Sequence, residues 1–534
     1  MLKRKSNNSL IFVCILLVLY ACSNDGEAID ESTAALNRGL NVEPESLDPH
    51  RFTSNGAADI LRDIGEGLLT YSANGSLIGG VASSWQVSAD GLVYTFELRE
   101  EAKWMNGDPV TSSDFVFALR RLVDPEIASP YGLLLESIDN ASQIVKGELS
   151  PAELGVVAID DDTLQIELSV PTPYFVQLLT HPSAFPLHAN SVIELADEFS
   201  RPGNFVSNGA YTLIDWTVGS RISLERNSNY WRDSETGFDR VSYHVVQESA
   251  EVNRFRAGDL DITANIDSAM FAAMLEERPD EVRVSSYLGI FYYGFNLKSE
   301  LFSNKPGLRR ALSMAVDREA LVEAIIGRGE LPAYGWVPPG INGYKSQSLD
   351  YSTLSKSQRE TEARRLYESA GYSSDNPLAF ELRYNTSTVQ TRIAVAVQSM
   401  WRDVLGVEAT LINEEFRVLL SNIQSMQVTE MFRLSWTGDY NDPLTFLQLF
   451  ESGNPSNLTA YSNPRVDALL KEAAAEVDKL ARMALLEEVE TTAISEHPVI
   501  PLYFYVSKHL VRKNIVGWRD NVLDFHYTQH LRPY

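Results

Sequence analysis

Residues that could do chemistry are few and dispersed. Of the eight histidines, His526 and His530 stand four apart, the spacing that puts two metal ligands on one helix face. They lack the glutamate of an HExxH pattern, and we expect no metal there. Asp160, Asp161 and Asp162 form an acidic triplet. It joins two short alternating runs, 156–159 and 163–168, and so reads as the solvated tip of a hairpin rather than a cation loop. There is no GxSxG elbow, no GxxxxGK[ST] phosphate loop and no GxGxxG after a strand, hence no local signature of a nucleophile, a nucleotide or a cofactor. Composition leaves glycoside hydrolysis open, since carboxylate pairs abound, but no motif favours it. The expectation is a protein without catalytic residues or cofactors.

Aromatic side chains fall repeatedly at strand ends and loops: Trp85, Trp104, Tyr131, Tyr287, Tyr292, Tyr293, Phe416, Trp436, Tyr440, Tyr503 and Tyr505. Rigid rings with polar tips can wall a site for a varied ligand at low entropic cost, although any one of them taken alone reads as core.

The elements that would position these residues alternate between strand and helix. Residues 92–98 alternate faces after the turn at 88–91, and Ser112 or Ser113 caps a helix running to Leu122. Runs 209–214 and 221–225 form a second hairpin, followed by a strand at 241–247, a helix over 251–257 stopped by Gly258, and strands at 261–266, 282–288 and 291–297. Helices are expected at 308–316, 319–326 and 391–405. In the last, Ile393, Val397, Met400, Trp401 and Val404 make an apolar stripe that reads as core. This is an α/β chain with mixed sheets.

Lys3, Arg4 and Lys5 precede an apolar run over 10–20 that ends at Ala21-Cys22. The run is about half the roughly 20 residues of a membrane span, and the pattern is that of a secretory signal over 1–22. Leu19-Tyr20-Ala21-Cys22 resembles a bacterial lipobox, with Cys22 as the acylated residue. The formal charge is -27, three units more negative once Lys3, Arg4 and Lys5 are removed, which repels nucleic acid and anionic lipid. Cys14 lies in the leader, leaving no internal disulfide.

Collinear segments then carry a family likeness: ESLDPH (45–50), RDIGEGLL (62–69), SADGLVYTFELREEAKWMNGDPVTSSDFVFALRRLVDP (88–125), ASPY (128–131), NGAYTL (208–213), LERNSNYW (224–231), VNRFRAGDLDIT (252–263), RRALSMAVDR (309–318), LPAYGWVPP (331–339) and SWTGDYNDP (435–443). Through them the chain resembles the oligopeptide-binding proteins of ABC importers, solute-binding family 5. The resemblance implies a two-lobed, periplasmic-binding-protein-like clamp of the type II peptide-binding class. Lobe I would comprise 23–65, 191–288 and 507–534, an extra domain 66–190, and lobe II 289–506. The chain would cross between lobes near 288–291 and Val506. It also implies a monomer in the periplasm or cell envelope, anchored by its lipid, that hands short peptides to permease and ATPase subunits. Murein tripeptide, nickel-chelate or opine-like ligands, or a chaperone or receptor role, are the alternatives on the same fold.

Carried over by position, the family's amine-binding aspartate falls on Asp439; on the residues alone, an aspartate after Gly438 reads as a turn residue. Asp442, before Pro443, reads as a helix N-cap. The peptide backbone would lie between Thr53, Ser54 and Asn55 on one side and Ser435, Trp436 and Thr437 on the other. Tyr131, Phe416 and Trp436 match side-chain pockets. Arg433 matches an arginine that can bind the ligand's carboxylate. Other basic positions of the family fall at Ile423 or Gln424 and within 324–326, where this chain is uncharged, and Gly289 and Gly294 replace a cysteine and a glutamate.

Overall fold

The computed structural model describes residues 34–341 and 343–534; the leader and Cys22 lie outside the described residues. Three sheets organise the chain. A four-stranded sheet runs in the order Ala35–Leu40, Arg240–Val245, Arg221–Arg226, Tyr211–Thr217, its first pair parallel and the rest antiparallel. Helix Asn55–Ile64 contributes Ile60, Leu61 and Ile64 to the core over this sheet, beside Ile222, Leu224 and Tyr243. A second sheet, wholly antiparallel, is ordered Ala82–Val87, Val93–Leu98, Thr163–Glu167, Val156–Ala158. Its core joins Phe96, Leu164 and Ile166 to Phe115 and Leu119 of helix Ser112–Val123. The third sheet is mixed and six-stranded, in the order Leu331–Pro332, Val499–Leu510, Val282–Phe295, Met431–Thr437, Ala379–Asn385, Glu408–Glu414. Helices Pro306–Met314, Thr388–Leu405 and Lys479–Ser495 supply Leu312, Trp401 and Leu486 to its core. This is the α/β two-lobed clamp with mixed sheets.

Local chemistry explains where the elements depart from the sequence expectation. Thr111, not a serine, caps helix Ser112–Val123, in a reciprocal box with Asp114. Residues 261–266 form no strand: Ile262 makes isolated bridges to Arg38 and Val511, and the N–H groups of Ala264 and Asn265 donate to the Glu251 carboxylate instead of to a ladder. Runs 282–288 and 291–297 fuse into the single strand Val282–Phe295. At Gly289 a Cβ would come 2.8 Å from the Tyr505 ring, and Gly294 is pressed against the Phe432 ring in the same way. At neither position would a Cβ fit without a shift of the facing ring. Beyond Ala320, the expected helix over 319–326 widens into π-helical turns over Leu321–Ile326. No helix among the described residues is long and apolar enough to cross a membrane.

Strands Val282–Phe295 and Val499–Leu510 run between two cores. Val282 and Leu510 pack with Phe255 and Met274, whereas Ile290, Phe291, Ile500 and Tyr503 belong to the core of the six-stranded sheet. Their ladder loses register between Ser286 and Ile290, so cross-strand bonding is interrupted where the pair passes from one core to the other.

Candidate functional site

At that passage lies a cavity of about 260 Å³. Asn55 and Arg62 of helix Asn55–Ile64, Tyr131, His181, Tyr287, Thr437, Gly438, Asp439, Tyr440 and the C-terminal residues Leu523 and Phe525 are among its lining. It therefore draws on all three sheet bodies. A neighbouring cavity of about 510 Å³ shares Asn55 and adds Thr53 and Ser54. A larger recess of about 680 Å³ opens elsewhere, but its lining comes from 51–197 alone, so no strand of the six-stranded sheet borders it.

One wall is aromatic. Tyr131 lies 4.4 Å from the His181 ring and 5.0 Å from Phe52. His181 Nδ1 accepts from the Ser183 backbone N–H, which leaves Nε2 protonated. Burial, then the nearby Arg62 charge, pushes the His181 imidazole down to about 3, so it is neutral and serves as a wall. Arg62 pairs with Asp59 at 3.0 Å and stands 3.7 Å over Phe525.

The opposite side carries Asp439. Strand Met431–Thr437 ends there: Gly438 donates its N–H to the Leu288 carbonyl at 2.8 Å, and Asp439 donates its own to Thr445 Oγ1 at 3.2 Å. Among the described residues the Asp439 carboxylate has neither a hydrogen-bond donor nor an ion-pair partner, and desolvation raises its pKa above the ordinary carboxylate value. The turn-forming role expected for an aspartate here is filled by Asp442, whose Oδ1 accepts from the Leu444 N–H at 3.0 Å. Asp442 is also held bidentately by Arg482 at 2.6 and 2.8 Å. Tyr440 stacks on Tyr174 at 4.4 Å. The loop bearing Asp439 is thus fastened on both sides while its own carboxylate stays unengaged.

Strand Met431–Thr437 also presents an open edge. It pairs along its length with Val282–Phe295, but on its other side strand Ala379–Asn385 meets only Met431 and Phe432. From Arg433 to Thr437 that edge has no strand partner among the described residues, a template for an added strand. Across the cavity, the Thr53 and Ser54 N–H groups both donate to the Glu45 carboxylate, and Ser54 Oγ does so at 2.7 Å. Although its donors outweigh desolvation and hold the Glu45 pKa at about 2, they also occupy these amides. The Thr53 carbonyl and the Asn55 N–H have no intramolecular partner among the described residues.

The expected site residues separate accordingly. Asn55, Tyr131, Thr437 and Asp439 line one cavity, and Thr53 and Ser54 line its neighbour. Arg433, Ser435, Trp436 and Phe416 lie outside both. Arg433 is buried with its guanidinium 4.7 Å over Phe291; it makes no ion pair among the described residues, and its Nε has no acceptor. Trp436 packs against the large core, and Phe416, 46% exposed, opens helix Phe416–Gln424 on the surface. Of the listed aromatics, Trp104, Tyr292, Tyr293 and Tyr503 are core. Arg62, His181, Leu523 and Phe525 were not anticipated. Arg62 opens the quoted segment 62–69, which did not single it out, and His181, Leu523 and Phe525 lie in stretches that no local pattern marks.

Two bodies joined by paired crossing strands, with a polar and aromatic cleft at the crossing, define a two-lobed solute-binding protein. The chain belongs to the bacterial extracellular solute-binding proteins, family 5: that family's middle-region model matches residues 76–457. It is accordingly a binding protein and not an enzyme. It is 37% identical over 507 residues to the periplasmic oligopeptide-binding protein OppA of Escherichia coli (strain K12), covering 94% of this chain and 92% of that one. The unliganded open form of the periplasmic murein tripeptide-binding protein MppA superposes with TM-score 0.90 at 35% identity, covering 94% of this chain and 98% of that one. Haemophilus influenzae OppA in complex with RPPGFSPFR gives 0.70 at the same identity, covering 94% and 99%. At matched identity and coverage, the chain superposes more closely on the unliganded open form than on the peptide complex.

Proposed function

We propose that this protein captures short peptides between its lobes outside the cytoplasm and delivers them to an ABC-type importer. The observation that carries the reading is the unpaired strand edge from Arg433 to Thr437 running directly into the unengaged carboxylate of Asp439. A peptide brings a pleated backbone for the edge and an α-ammonium for the carboxylate, whatever its side chains. Arg433, a buried cation without a counter-ion among the described residues, is the assigned partner of the ligand's carboxylate, and Thr53 and Asn55 border the backbone from the other lobe. Native mass spectrometry of the protein as purified tests this: a ladder of di- to pentapeptide masses supports it, and one sharp non-peptide mass overturns it. A single mass matching murein tripeptide would place the protein beside MppA in ligand choice.

The lobes are assigned as 23–65, 191–288 and 507–534 against 289–506, with 66–190 as the extra domain and the hinge at the register break. Peptide is then expected to close the clamp. Small-angle scattering on protein freed of endogenous ligand by unfolding and refolding should show a smaller radius of gyration once peptide is added. Equal radii would count against the hinge.

Anchoring through an acylated Cys22 completes the reading. Cys22→Ser is expected to move the protein from the membrane fraction to the soluble extracytoplasmic fraction. Identical fractionation of wild type and variant would remove the lipid anchor.

A further inference from the structure

The C-terminal segment that lines the ligand cavity has a second face. Leu523 and Phe525 border the smaller cavity, whereas Asp524, in the left-handed region at φ 58°, and His526 border the larger one with His509 and Trp518. On that second face Asp524 Oδ1 stands 2.9 Å from His509 Nε2 and 3.1 Å from His526 Nε2. The three atoms lie within 4.8 Å of one another. We propose that His509, Asp524 and His526 form a binding site for a divalent transition-metal ion such as Zn(II), Ni(II) or Co(II).

Three features support a built site. First, His509 is oriented for it: its Nδ1 lies 2.9 Å from the Thr263 carbonyl and donates to it, so Nε2 is the ring atom aimed at the carboxylate. A metal-bound histidine characteristically gives its other N–H to a carbonyl or carboxylate in this way. Second, the two separations from Asp524 Oδ1 suit coordination. With bonds of about 2.1 Å, neighbouring ligands of a six-coordinate ion stand about 3.0 Å apart, and those of a four-coordinate ion slightly more. Third, His526 is clamped, its ring 3.5 Å from that of Trp518 and nearly parallel to it. Trp518 Nε1 is itself buried and has no acceptor among the described residues. The ion takes the place of the Nε2 protons that now point at Asp524, and these pass to solvent.

The nearest cation does not block the site. Arg38 Nη1 is committed to the His526 carbonyl at 2.9 Å and Thr528 Oγ1 at 2.7 Å, and the guanidinium lies over Tyr243. Asp59 lines the same cavity and adds a second carboxylate to the local balance. Two imidazoles and one carboxylate favour a borderline transition ion over Ca(II) or Mg(II), which take oxygen sets. The pairing was not legible in the sequence, where His526 and His530 drew attention. His530 instead points Nε2 at the Tyr71 carbonyl, 3.1 Å away.

Calorimetric titration of untagged, chelator-stripped protein with Zn(II) tests the site. Wild type is expected to bind one ion per chain, with the dissociation constant raised at least about tenfold in both His526→Ala and Asp524→Asn, each checked for folding by its thermal melt. His188→Ala, which removes a surface His–Asp pair with no third ligand, is expected to match wild type. A wild-type crystal soaked in Zn(II) gives a readout that no variant's folding can disturb: an anomalous peak bonded to the three ligand atoms supports the site. No saturable binding, equal affinity in all four proteins, or anomalous peaks elsewhere only would overturn it.

Discussion

Replacing Asp439 with asparagine is expected to weaken binding of unmodified short peptides by roughly two to three and a half decades while leaving the fold intact. The carboxylate has no donor among the described residues and its pKa is raised by desolvation, so it contributes nothing to the open structure that asparagine would forfeit. When the lobes close over a peptide, its α-ammonium is cut off from water. Removing one partner of such a buried pair costs about 3–5 kcal/mol. Acetylating the peptide's N-terminus should harm wild type to a similar degree and add little further loss to Asp439→Asn, because both changes delete the same interaction. The pH dependence follows in sign. Binding requires the ionised carboxylate, whose pKa in the open form lies above the ordinary value, so affinity should fall as pH drops through that pKa and level off above it. Calorimetry across the four combinations decides. Equal affinity of wild type and Asp439→Asn for free peptides would sink both the role of Asp439 and the main chemical support for a peptide ligand.

The place of Asp439 beside the cavity was legible because the motif around it is contiguous; most of its surroundings were not. The hairpins at 156–167 and 211–226 could be read from alternation on either side of polar turns, since a strand with one face on a core imposes period two on its sequence. Runs 282–288 and 291–297 prove to be one strand, Val282–Phe295, passing through Gly289, whose missing side chain makes room for Tyr505. The stretch 261–266 had a strand's composition, but Glu251 takes its amides, a tertiary choice that composition does not encode. His181 and Phe525 reach the cavity across more than 300 residues of sequence separation, and Thr53 and Ser54 have their amides occupied by Glu45. Local patterning specifies elements; which side chains meet at the crossing follows from how the lobes are assembled.

The same distinction governs the second large effect expected here, the loss of Arg482. Asp442 was readable as a helix cap, and it does accept the Leu444 N–H, but its ion-pair partner lies 40 residues on. Both side chains are buried, 5% and 3% exposed. Arg482→Met keeps much of the apolar stem and leaves the Asp442 carboxylate in the interior without a counter-charge, at a cost of about 3–5 kcal/mol. With the assigned lobe 289–506 as the melting unit, that corresponds to a fall of roughly 6–20 °C in Tm. Neutralising the stranded acid should recover part of the loss, so Arg482→Met/Asp442→Asn is expected to melt above Arg482→Met alone. Asparagine keeps an acceptor for the Leu444 N–H and buries no charge. The pair also fastens the loop carrying Asp439, so Arg482→Met should weaken peptide binding even well below its own Tm, while a merely global destabilisation would leave affinity unchanged there. A Tm within about 2 °C of wild type, or a double variant no more stable than the single one, would show that the Arg482 charge is not what stabilises Asp442 in the interior.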